Sequence, residues 1–321
     1  MYKLILVNER KFEKTEFTLD NLENNYVRVK NIYCGICGGD ISAYNGKRKR
    51  YPVSLGHEGI GEVIYSKHSA FKIGDIVITD FNYRCGVCKF CKNESHLCDK
   101  NDIQLFSNRM FSSHSDIHFS YLEKIIPNAK NFHHLTLAEP LSCCLHAIQS
   151  YNINIFENIL INGCGGIGML MGFALKFVFG KKNIFFRDIN SVRQEKCVNY
   201  FNAYSFDSSI SFDLIIDATN SVDGLLFSCN QALKGSIVCI MSHLYGDDTS
   251  RIFDLVQQKE LHIFSPLRNG QKSNLKKAGK LLIDFWDTSF NDMLRIYSNT
   301  EITEAFEDTL RSRYNKHIIK L

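Results

Sequence analysis

A glycine-rich turn between an apolar strand and a helix constrains the fold of this chain more than any other feature. The segment Asn162–Gly168 has the pattern Gly-x-Gly-x-x-Gly, and it separates the strand-like Asn158–Asn162 from the helix-like Ile167–Phe179, which ends at Gly180. Glycine at these positions permits a tight turn, close approach of the backbone to a pyrophosphate, and close packing of helix on strand. The helix N-terminus then stabilises the phosphate charge. The pattern therefore predicts a dinucleotide-binding βαβ unit, with a plain strand-to-helix turn as the alternative.

An acidic residue beyond this turn indicates the cofactor. Asp188 lies twenty residues after Gly168, at the end of the predicted strand Asn183–Arg187. A carboxylate at this place accepts hydrogen bonds from the ribose hydroxyls of adenosine. Arg187 and Arg193 weaken the preference, since a guanidinium there suits the 2′-phosphate of NADP, so we expect NAD ahead of NADP. The predicted cofactor-binding residues are Gly163, Gly165, Gly166, Ile167, Gly168, Asp188 and Arg193.

Strand-like and helix-like segments alternate after the glycine turn. Phe212–Asp217, Ser236–Met241 and Leu261–Phe264 are strand candidates separated by stretches of helix length. This alternation is typical of βαβ units with a parallel sheet. Before the turn, short alternating stretches such as Tyr26–Lys30 and Gly74–Thr79 indicate a mostly β half. The sequence thus predicts an α/β protein in which a β-rich domain accompanies a doubly wound parallel sheet.

The length and the C-terminal segment bear on the number of domains. A chain of 321 residues is long enough for two domains that each bury a core. The last segment has amphipathic helices at Lys276–Phe285 and Ile302–Arg311 and a strand-like His317–Lys320. By its pattern alone, this segment fits either domain.

Composition excludes several classes of protein. Hydrophobic residues make up 45% and charged residues 22% of the chain, as in folded globular proteins. The formal charge of +4 is small for this length, so nucleic acid is not expected as a partner. No apolar run reaches the roughly 18–20 residues that span a bilayer, and the charged N-terminus lacks the apolar stretch of a signal peptide. We therefore expect a cytoplasmic protein without a membrane partner.

Four of the twelve cysteines form a closely spaced cluster. Cys85, Cys88, Cys91 and Cys98 have the spacing C-x2-C-x2-C-x6-C. Zinc binds four thiolates tetrahedrally, and such a knuckle reaches one ion without long-range folding. Because all four positions are then filled, the predicted zinc is structural. An iron–sulfur cluster is the competing interpretation, and a disulfide framework is disfavoured in a chain of this size without a signal peptide.

A second set of metal-ligand residue types is scattered over three segments. Cys34 and Cys37 lie in Cys-Gly-Ile-Cys-Gly-Gly-Asp, His57 and Glu58 lie in Gly-His-Glu-Gly-Ile-Gly, and Glu139 opens Glu-Pro-Leu. Taken alone, each has an ordinary explanation as a core thiol, a turn histidine or a carboxylate at a helix start. Only their conjunction indicates a second, open zinc site.

The order of these motifs carries a resemblance to a known family. CGICGGD, GHEGIGEV, the four-cysteine cluster, EPLSCCLHA and GCGGIG occur in the order found in zinc-dependent medium-chain alcohol and polyol dehydrogenases, and the chain resembles that family over essentially its whole length. The resemblance implies a GroES-like catalytic domain at 1–151 and 269–321, and a Rossmann cofactor domain at 152–268. It also implies a small-molecule alcohol, polyol or sugar phosphate as substrate, and a homo-oligomer, either dimer or tetramer.

The resemblance further implies roles for the scattered residues. Cys37, rather than Cys34, binds a catalytic zinc together with His57. Glu139 is the third protein ligand, and Glu58 lies close to the metal. Three protein ligands leave a fourth position for an alcohol, whose pKa the ion lowers before a hydride passes to the nicotinamide. One catalytic and one structural zinc per chain are therefore expected.

The polar residues that follow Cys37 depart in part from the family pattern. Asp40 resembles the carboxylate that orients the histidine ligand, and a turn cap is its alternative role. Many relatives have serine or threonine two residues after the cysteine, where the hydroxyl passes the alcohol proton outward, but this chain has Gly39. Ser42 or Glu58 is therefore the expected proton acceptor.

A basic run and the competing functions complete the prediction. Lys47–Arg50 contains four cations between the Cys37 segment and the His57 segment, so it is expected near the mouth of the active site, where it would attract an anionic substrate such as a polyol phosphate. A solvated surface loop is the ordinary alternative. Two other functions stay open: a zinc-containing nucleotide-binding protein without turnover, and a zinc-knuckle nucleic-acid binder, which would show salt-sensitive oligonucleotide binding.

Overall fold

A computed structural model describes residues 1–81, 85, 87–93, 96–98, 109–126, 132–242, 244 and 249–321. The described part divides into two units. The first comprises Met1–Ser142, Arg268–Ser312 and Lys316–Leu321, and the second comprises Cys143–Leu267 and Arg313–Asn315. This division lies near the domain limits expected from the sequence, 151 and 269, without coinciding with them, so those limits stay a prediction.

The strands and α-helices are numbered in chain order. Within the described residues the strands are β1 Tyr2–Asn8, β2 Lys11–Glu16, β3 Tyr26–Gly35, β4 Val53–Ser54, β5 Glu58–Ser66, β6 Ile76–Thr79, β7 His114–His118, β8 Leu122–Ile125, β9 Ile159–Asn162, β10 Ile184–Arg187, β11 Tyr204–Ser205, β12 Phe212–Asp217, β13 Ala232–Ile240, β14 His262–Phe264, β15 Leu294–Ser298 and β16 Lys316–Lys320. The α-helices described there are α1 Gly38–Tyr44, α2 Lys89–Lys92, α3 Ala138–Gln149, α4 Gly166–Phe173, α5 Ser191–Phe201, α6 Val222–Gln231, α7 Ser250–Lys259, α8 Ser273–Phe285 and α9 Ile302–Arg311. Short 3-10 helices lie at Phe119–Tyr121, His133–Leu137, Ile153–Ile155, Thr288–Met293 and Asn299–Glu301.

Most predicted segments form the expected elements, with one difference. Strand β12 and helix α9 have the predicted bounds. The predicted helix Ile167–Phe179 is divided, because α4 ends at Phe173 and a π-helical stretch continues over Ala174–Val178. Gly180 then adopts a φ of +65°, the left-handed conformation common after a helix. A single π turn keeps the apolar character of the segment, so hydrophobic periodicity does not reveal it.

A seven-stranded sheet is the framework of the first unit in the described residues. Its order is β15-β16-β3-β5-β6-β8, with β7 also paired to β3, and only β15 and β16 are parallel. Val27 and Val29 are two positions apart in β3, so both point to the same face of the sheet, into the core. There they join a cluster that includes Tyr44 of α1 and Phe306 of α9. A smaller sheet has the order β2-β1-β4. In the seven-stranded sheet, β3 is therefore hydrogen-bonded to β5 on one side and to β16 on the other.

Six parallel strands form the sheet of the second unit in the part of the chain that the structure describes. Their order is β11-β10-β9-β12-β13-β14. Strand β9 is buried at all four positions, as expected where both faces of a parallel sheet are covered. Numbered within the unit, the order is 3-2-1-4-5-6, that of the doubly wound dinucleotide-binding fold. The predicted Rossmann class is confirmed, and the glycine turn follows β9, beside the point where the strand order reverses.

Two further features of the structure concern membrane-spanning helices and disulfide bonds. None of the described helices has the length and hydropathy needed to cross a membrane. All twelve cysteines are among the described residues, and each keeps its own thiol group. The thiols can therefore serve as metal ligands, because none is part of a disulfide.

Candidate functional site

The four clustered cysteines, here called the thiolate clip, come together as predicted. The sulfur atoms of Cys85, Cys88, Cys91 and Cys98 all lie within 4.8 Å of one another. Cys88 is the N-cap of α2, and its sulfur accepts a hydrogen bond from the Cys91 amide at 3.4 Å. The Cys85 sulfur accepts from the Cys88 amide at 3.4 Å, and the Cys98 sulfur accepts from the Cys85 amide at 3.5 Å. This is a pure sulfur donor set, which suits a tetrahedral thiolate-bound ion.

Local backbone groups also favour the charged form of the clip. Hydrogen bonds from the amides of Val87 and Cys88 lower the pKa of the Cys85 thiol to about 6. Amide donors stabilise a thiolate because they place partial positive charge beside the sulfur. Backbone amides of the same short segment therefore stabilise the thiolate form of Cys85, which is the form that binds a metal.

Three of the scattered residues form a second set, here called the mixed-donor group. Donor atoms of Cys37, His57 and Glu58 lie within 4.8 Å of one another. Cys37 is the N-cap of α1, His57 precedes β5, and Glu58 is the first residue of that strand. A thiolate, an imidazole and a carboxylate are the donor types of open zinc sites, which keep one position for water or substrate. Glu139, buried near the start of α3, is outside this three-residue group, so the grouping favours Glu58 as the third donor.

Asp40 joins the two loops that carry the mixed-donor group. Its side chain accepts hydrogen bonds from the amides of Cys37 at 3.0 Å and Gly56 at 3.4 Å. The first of these completes a capping box at the start of α1. Among the described residues, no hydrogen bond joins Asp40 to the ring of His57. Asp40 therefore holds Cys37 and the residue before His57 in place, and its predicted role toward the imidazole of His57 stays a prediction.

A buried ion pair fixes the carboxylate of Glu58. The Lys316 ammonium of β16 lies 2.8 Å from Glu58 Oε1 and 2.5 Å from Oε2, and the side chains are 7% and 2% exposed. Gly35 of β3 is the register partner of Glu58. A Cβ atom at position 35 would lie only 2.2 Å from Glu58 Oε2 and 3.2 Å from Lys316 Cε. Glycine at this position is therefore what makes room for the ion pair.

Burial changes the pKa values around this group. Burial raises the pKa of the Cys37 thiol above its ordinary range, and Glu58 and Asp40 add to the effect. Burial also raises the pKa of Glu139 to about 7, although His57 opposes the shift. For Lys316, burial alone would lower the pKa, but the neighbouring carboxylate of Glu58 raises it above its ordinary value. Several acidic donors thus surround one ammonium, and a divalent cation would offset their charge.

An aromatic ring and a cation lie behind His57. The rings of His57 and Phe81 have centroids 4.5 Å apart at an interplanar angle of 31°. The Arg109 guanidinium lies 4.8 Å from the centroid of the same Phe81 ring. The Thr79 hydroxyl donates to the carbonyl of His57. Sequence reasoning missed these three residues and Lys316, and only Thr79, the last residue of a predicted strand, gave any signal.

The residues that follow Cys37 make contacts within α1 or lie on the surface just beyond it. The Ser42 hydroxyl donates to the Gly38 carbonyl at 3.0 Å, within α1. Gly39 has no hydroxyl, and its amide donates to the Cys37 sulfur at 3.4 Å. The basic run Lys47–Arg50 follows α1 and is exposed at all four positions. The structure thus places the run shortly after the end of α1, the helix whose N-cap is Cys37.

The glycine turn has the geometry that the motif requires. Gly163 has a φ of +99°, and a Cβ atom there would lie 2.7 Å from the Ala218 carbonyl oxygen. Gly165 is the N-cap of α4, and a Cβ atom at this position would meet no heavy atom within 4 Å. Gly166 begins the helix, Ile167 follows, and Gly168 packs so closely that its Cβ atom would collide with the Gly163 carbonyl. The turn is therefore tightly packed at Gly163 and Gly168, whereas the space around Gly165 is open.

The residues after β10 bear on the cofactor. Asp188 accepts hydrogen bonds from the Cys164 amide at 2.5 Å and the Asn190 amide at 2.7 Å, so its carboxylate lies directly beside the glycine turn. Arg187 turns toward the sheet interior, where it donates to Asn162 Oδ1 at 2.9 Å and lies 3.7 Å from the centroid of the Phe227 ring. Arg193 lies in the first turn of α5. Of the two arginines that weakened the NAD prediction, Arg187 is thus engaged elsewhere.

Comparison with known proteins adds a family match and named relatives. The Alcohol dehydrogenase GroES-like domain matches residues 23–117. D-altritol 5-dehydrogenase of Agrobacterium fabrum is 30% identical over 236 residues, which cover 68% of this chain and 69% of the relative. D-arabitol-phosphate dehydrogenase of Enterococcus avium is 29% identical over 169 residues, 49% of this chain and 46% of the relative. The chain thus spans about half the length of the second relative and two thirds of the first.

A solved structure extends the comparison to the whole fold. L-idonate 5-dehydrogenase of Escherichia coli has a TM-score of 0.86 with 20% sequence identity, and the match covers 100% of this chain and 98% of that chain. At this identity the match concerns the fold alone. Both units described above therefore have counterparts in one solved protein.

Proposed function

Because this chain belongs to the zinc-dependent medium-chain alcohol and polyol dehydrogenase family, we propose that it transfers a hydride between a polyol-type alcohol and NAD at a zinc site. The observation that carries the proposal is the mixed-donor group, in which Cys37, His57 and Glu58 come within 4.8 Å of one another. Cys37 lies twenty residues before the adjacent His57 and Glu58, and ordinary packing does not require a thiol, an imidazole and a carboxylate to converge.

We assign the catalytic zinc to Cys37, His57 and Glu58, with Glu139 as the neighbouring carboxylate. A zinc ion held there would polarise an alcohol and lower its pKa. Asp40 keeps the Cys37 and His57 loops in place through backbone amides, and Lys316 holds the Glu58 carboxylate. The clip, Cys85 to Cys98, would hold the structural zinc, since four thiolates leave no position for substrate.

Ser42 and Glu58 are the two residues proposed to accept the substrate proton. Ser42 Oγ keeps lone pairs for this purpose while its hydrogen is donated to Gly38. Glu58 lies within the group itself. Ser42→Ala should lower kcat more than KM if Ser42 is the acceptor, and it should leave both constants unchanged if Glu58 is.

We propose NAD as the preferred cofactor. Asp188 lies beside the glycine turn, where its carboxylate suits the adenosine ribose hydroxyls and repels a 2′-phosphate. The contacts of Arg187 with Asn162 and Phe227 support the same choice, because that guanidinium is already engaged with protein groups. The ratio of kcat/KM for NAD to that for NADP tests this assignment, and a ratio below one would contradict it.

The substrate is proposed to be an alcohol of the polyol class. Support comes from the altritol and arabitol-phosphate enzymes, whose names include both a free and a phosphorylated polyol. The exposed run Lys47–Arg50 favours the phosphorylated type, because cations beside a site attract anionic ligands. The expected homo-oligomer stays a prediction, which light scattering would test.

One experiment separates this function from its main alternative. The purified protein is assayed for zinc content and for NAD reduction, by nicotinamide absorbance, with a panel of polyols, sugars and their phosphates. The proposed function predicts about two zinc ions per chain, one in each donor set, and reduction of NAD by at least one compound. One zinc per chain, with cofactor binding but no reduction, would instead favour a nucleotide-binding protein without turnover.

A further inference from the structure

Asn315 is a buried residue, late in the chain, that contacts the glycine turn. It is 4% exposed, and its Nδ2 donates to the Cys164 carbonyl at 2.6 Å. Cys164 lies between Gly163 and Gly165, inside the turn. We propose that Asn315 is a positioning residue for the cofactor, which directs the Gly165 amide toward the pyrophosphate of the dinucleotide by holding the Cys164 carbonyl. This proposal rests on the proposed function, because it takes the glycine turn as the binding site of that cofactor.

The neighbours of Asn315 determine which end of its amide group faces the turn. Besides the Cys164 carbonyl, Nδ2 contacts the Arg193 carbonyl at 3.4 Å and the Cys197 sulfur at 3.4 Å. Two of these groups accept hydrogen bonds only, and a sulfur is a weak acceptor, so the NH2 end rather than the oxygen faces them. Among the described residues, Asn315 Oδ1 has no hydrogen-bond partner. The side chain therefore acts on the turn as a donor.

The segment around Asn315 is attached to helix α5. Arg313–Asn315 belongs to the second unit, and the Lys196 ammonium of α5 lies 4.8 Å from the centroid of the Tyr314 ring. The two further contacts of Asn315, with Arg193 and Cys197, are also made to α5. Asn315 is thus a donor held on one helix that reaches the turn before another helix, α4.

The other polar groups of Cys164 are also hydrogen-bonded. Its amide donates to Asp188 Oδ2 at 2.5 Å, and its sulfur donates to the Arg187 carbonyl at 3.7 Å. The residue itself is fully buried. Of its three bonds, only the one from Asn315 is made to the peptide group that Cys164 shares with Gly165. Asn315 is therefore the contact that fixes the direction of that peptide group.

The planarity of this peptide group carries the effect of Asn315 to Gly165. The bond between Cys164 and Gly165 is trans, so its C=O and N–H point in opposite directions. Because the carbonyl points toward Asn315, the Gly165 N–H points away from it. In the described part of the chain this N–H donates no hydrogen bond, and the space around Gly165 is open. A phosphate oxygen is the acceptor that a turn of this kind binds.

Binding measurements test this role without requiring turnover. Wild type and Asn315→Ala are titrated with NADH by its fluorescence, and ADP-ribose and adenosine are measured by displacement of NADH. ADP-ribose contains the pyrophosphate, whereas adenosine contains no phosphate. Asn315→Ala should weaken NADH and ADP-ribose about 10- to 100-fold, the effect of one lost hydrogen bond to a charged group, and adenosine less than about twofold.

Two further variants separate positioning from general stability. Asn315→Leu fills similar space without a donor and removes the buried oxygen, so it should fold and show the same selective loss. Asn274 of α8 is the matched control, because it is also 4% exposed and its Nδ2 donates to a backbone carbonyl, that of Asn269, at 2.9 Å. Asn274→Ala should lower Tm and leave all three affinities unchanged. The zinc content of each variant should equal that of the wild type.

Each outcome decides the proposal. A loss confined to NADH and ADP-ribose supports it whether or not any polyol is oxidised, so a failure of the dehydrogenase function is seen separately in the absorbance assay. Equal losses for adenosine and ADP-ribose would show a general structural role and overturn the proposal, as would unchanged affinities or failure of both Asn315 variants to fold. If the wild type binds none of the three ligands, the role of Asn315 and the proposed cofactor are both wrong.

Discussion

The thiolate clip and the mixed-donor group are both metal-ligand sets of the first unit, but the chain builds them in opposite ways. The clip is a short segment whose own amides donate to its sulfur atoms. The mixed-donor group draws Cys37 from α1 and Glu58 from β5, and its carboxylate is held by Lys316, 258 residues further along the chain. The clip thus depends on local backbone geometry, whereas the mixed-donor group depends on the sheet.

The two sets also differ in their surroundings. One donor residue of each set is buried, Cys98 in the clip and Glu58 in the mixed-donor group, and the others are half-buried, but Asp40 adds a second buried carboxylate beside the mixed-donor group. In the clip, amides lower a thiol pKa, while around Cys37 burial raises it. A metal at the clip therefore completes a segment that already favours thiolates. A metal at the mixed-donor group would relieve the cost of burying charge, and this difference leads to four predictions.

The largest expected effect is the loss of turnover when the thiol of the mixed-donor group is removed. Cys37→Ser should reduce kcat/KM by at least about 10³-fold, since losing a group that merely supports a ligand already costs 10- to 100-fold. The clip should keep its metal, so the zinc content should fall from about two ions to about one per chain. Steady-state NADH absorbance and metal analysis measure the two effects.

The neighbouring thiol is the control for this variant. Cys34 is buried and lies outside the group, so Cys34→Ala should retain its zinc content and most of its activity. If Cys34→Ala loses the metal and Cys37→Ser keeps it, the assignment of the ligand is wrong.

Removing a clip cysteine should lower stability rather than abolish chemistry. Cys98→Ala should lose the clip metal and about 4 kcal/mol of the free energy of unfolding, a size typical of losing a structural ion. For a unit of this size that corresponds to a drop of roughly 8–16 °C in Tm. Scanning calorimetry measures Tm, and cobalt substitution reports whether the mixed-donor group still binds a metal. An unchanged Tm with full activity would contradict a structural role for the clip.

Breaking the buried ion pair should affect only the mixed-donor group. Lys316→Met leaves the Glu58 carboxylate buried without its cation, and this should cost about 3 kcal/mol of unfolding free energy in the metal-free protein. Zinc should recover part of the loss, because Glu58 is then neutralised by the ion. Denaturant unfolding with and without zinc measures both values.

A double variant sharpens this result. Glu58→Gln combined with Lys316→Met removes both charges, so its metal-free stability should lie closer to that of the wild type than Lys316→Met does. A double variant that is no more stable than Lys316→Met would show that the loss comes from packing around the lysine rather than from the unpaired charge.

The smallest expected effect concerns the aromatic support of His57. Arg109→Met removes the cation that lies over Phe81, a contact worth about 1–2 kcal/mol when partly desolvated, and should reduce kcat/KM about 5- to 30-fold. The zinc affinity of the clip should be unchanged, whereas cobalt bound at the mixed-donor group should show a shifted visible spectrum. The spectrum of Arg295→Met, which removes an exposed cation over Tyr297, should match the wild type.

Much of the fold could be predicted because its signals are local. The glycine turn, the apolar strand β9 before it and the alternation after it identify a parallel sheet without tertiary information. The clip could be predicted for the same reason, since its four ligands lie in one short segment. The π-helical stretch at Ala174–Val178 was missed, because one extra residue in a single turn leaves the apolar pattern intact.

The mixed-donor group could be predicted only in part. The motifs around Cys37 and His57 named its donors, but the resemblance gave Glu139 the third position, while the structure groups Glu58 with them. Lys316 precedes a strand-like segment and carries no motif, so nothing in the sequence linked it to Glu58. Arg109 contacts the ring of Phe81, and the spacing of residues in the sequence gave no sign of this contact. Contacts of this kind are set by strand pairing and burial, which one sequence does not display.

The glycine at position 35 has a consequence for how this reaction centre can vary. Strand β5 presents its first residue opposite Gly35, and a side chain there would occupy the space of the Glu58 carboxylate. A slip of one residue between β3 and β5 would turn that carboxylate to the other face of the sheet. The hydrogen-bonded register between β3 and β5 therefore determines where the Glu58 carboxylate lies. Mutations that loosen the pairing of β3 with β5 would disable the enzyme without altering a metal ligand. Mutations that preserve this pairing would keep the carboxylate in place, so other side chains of the site could change.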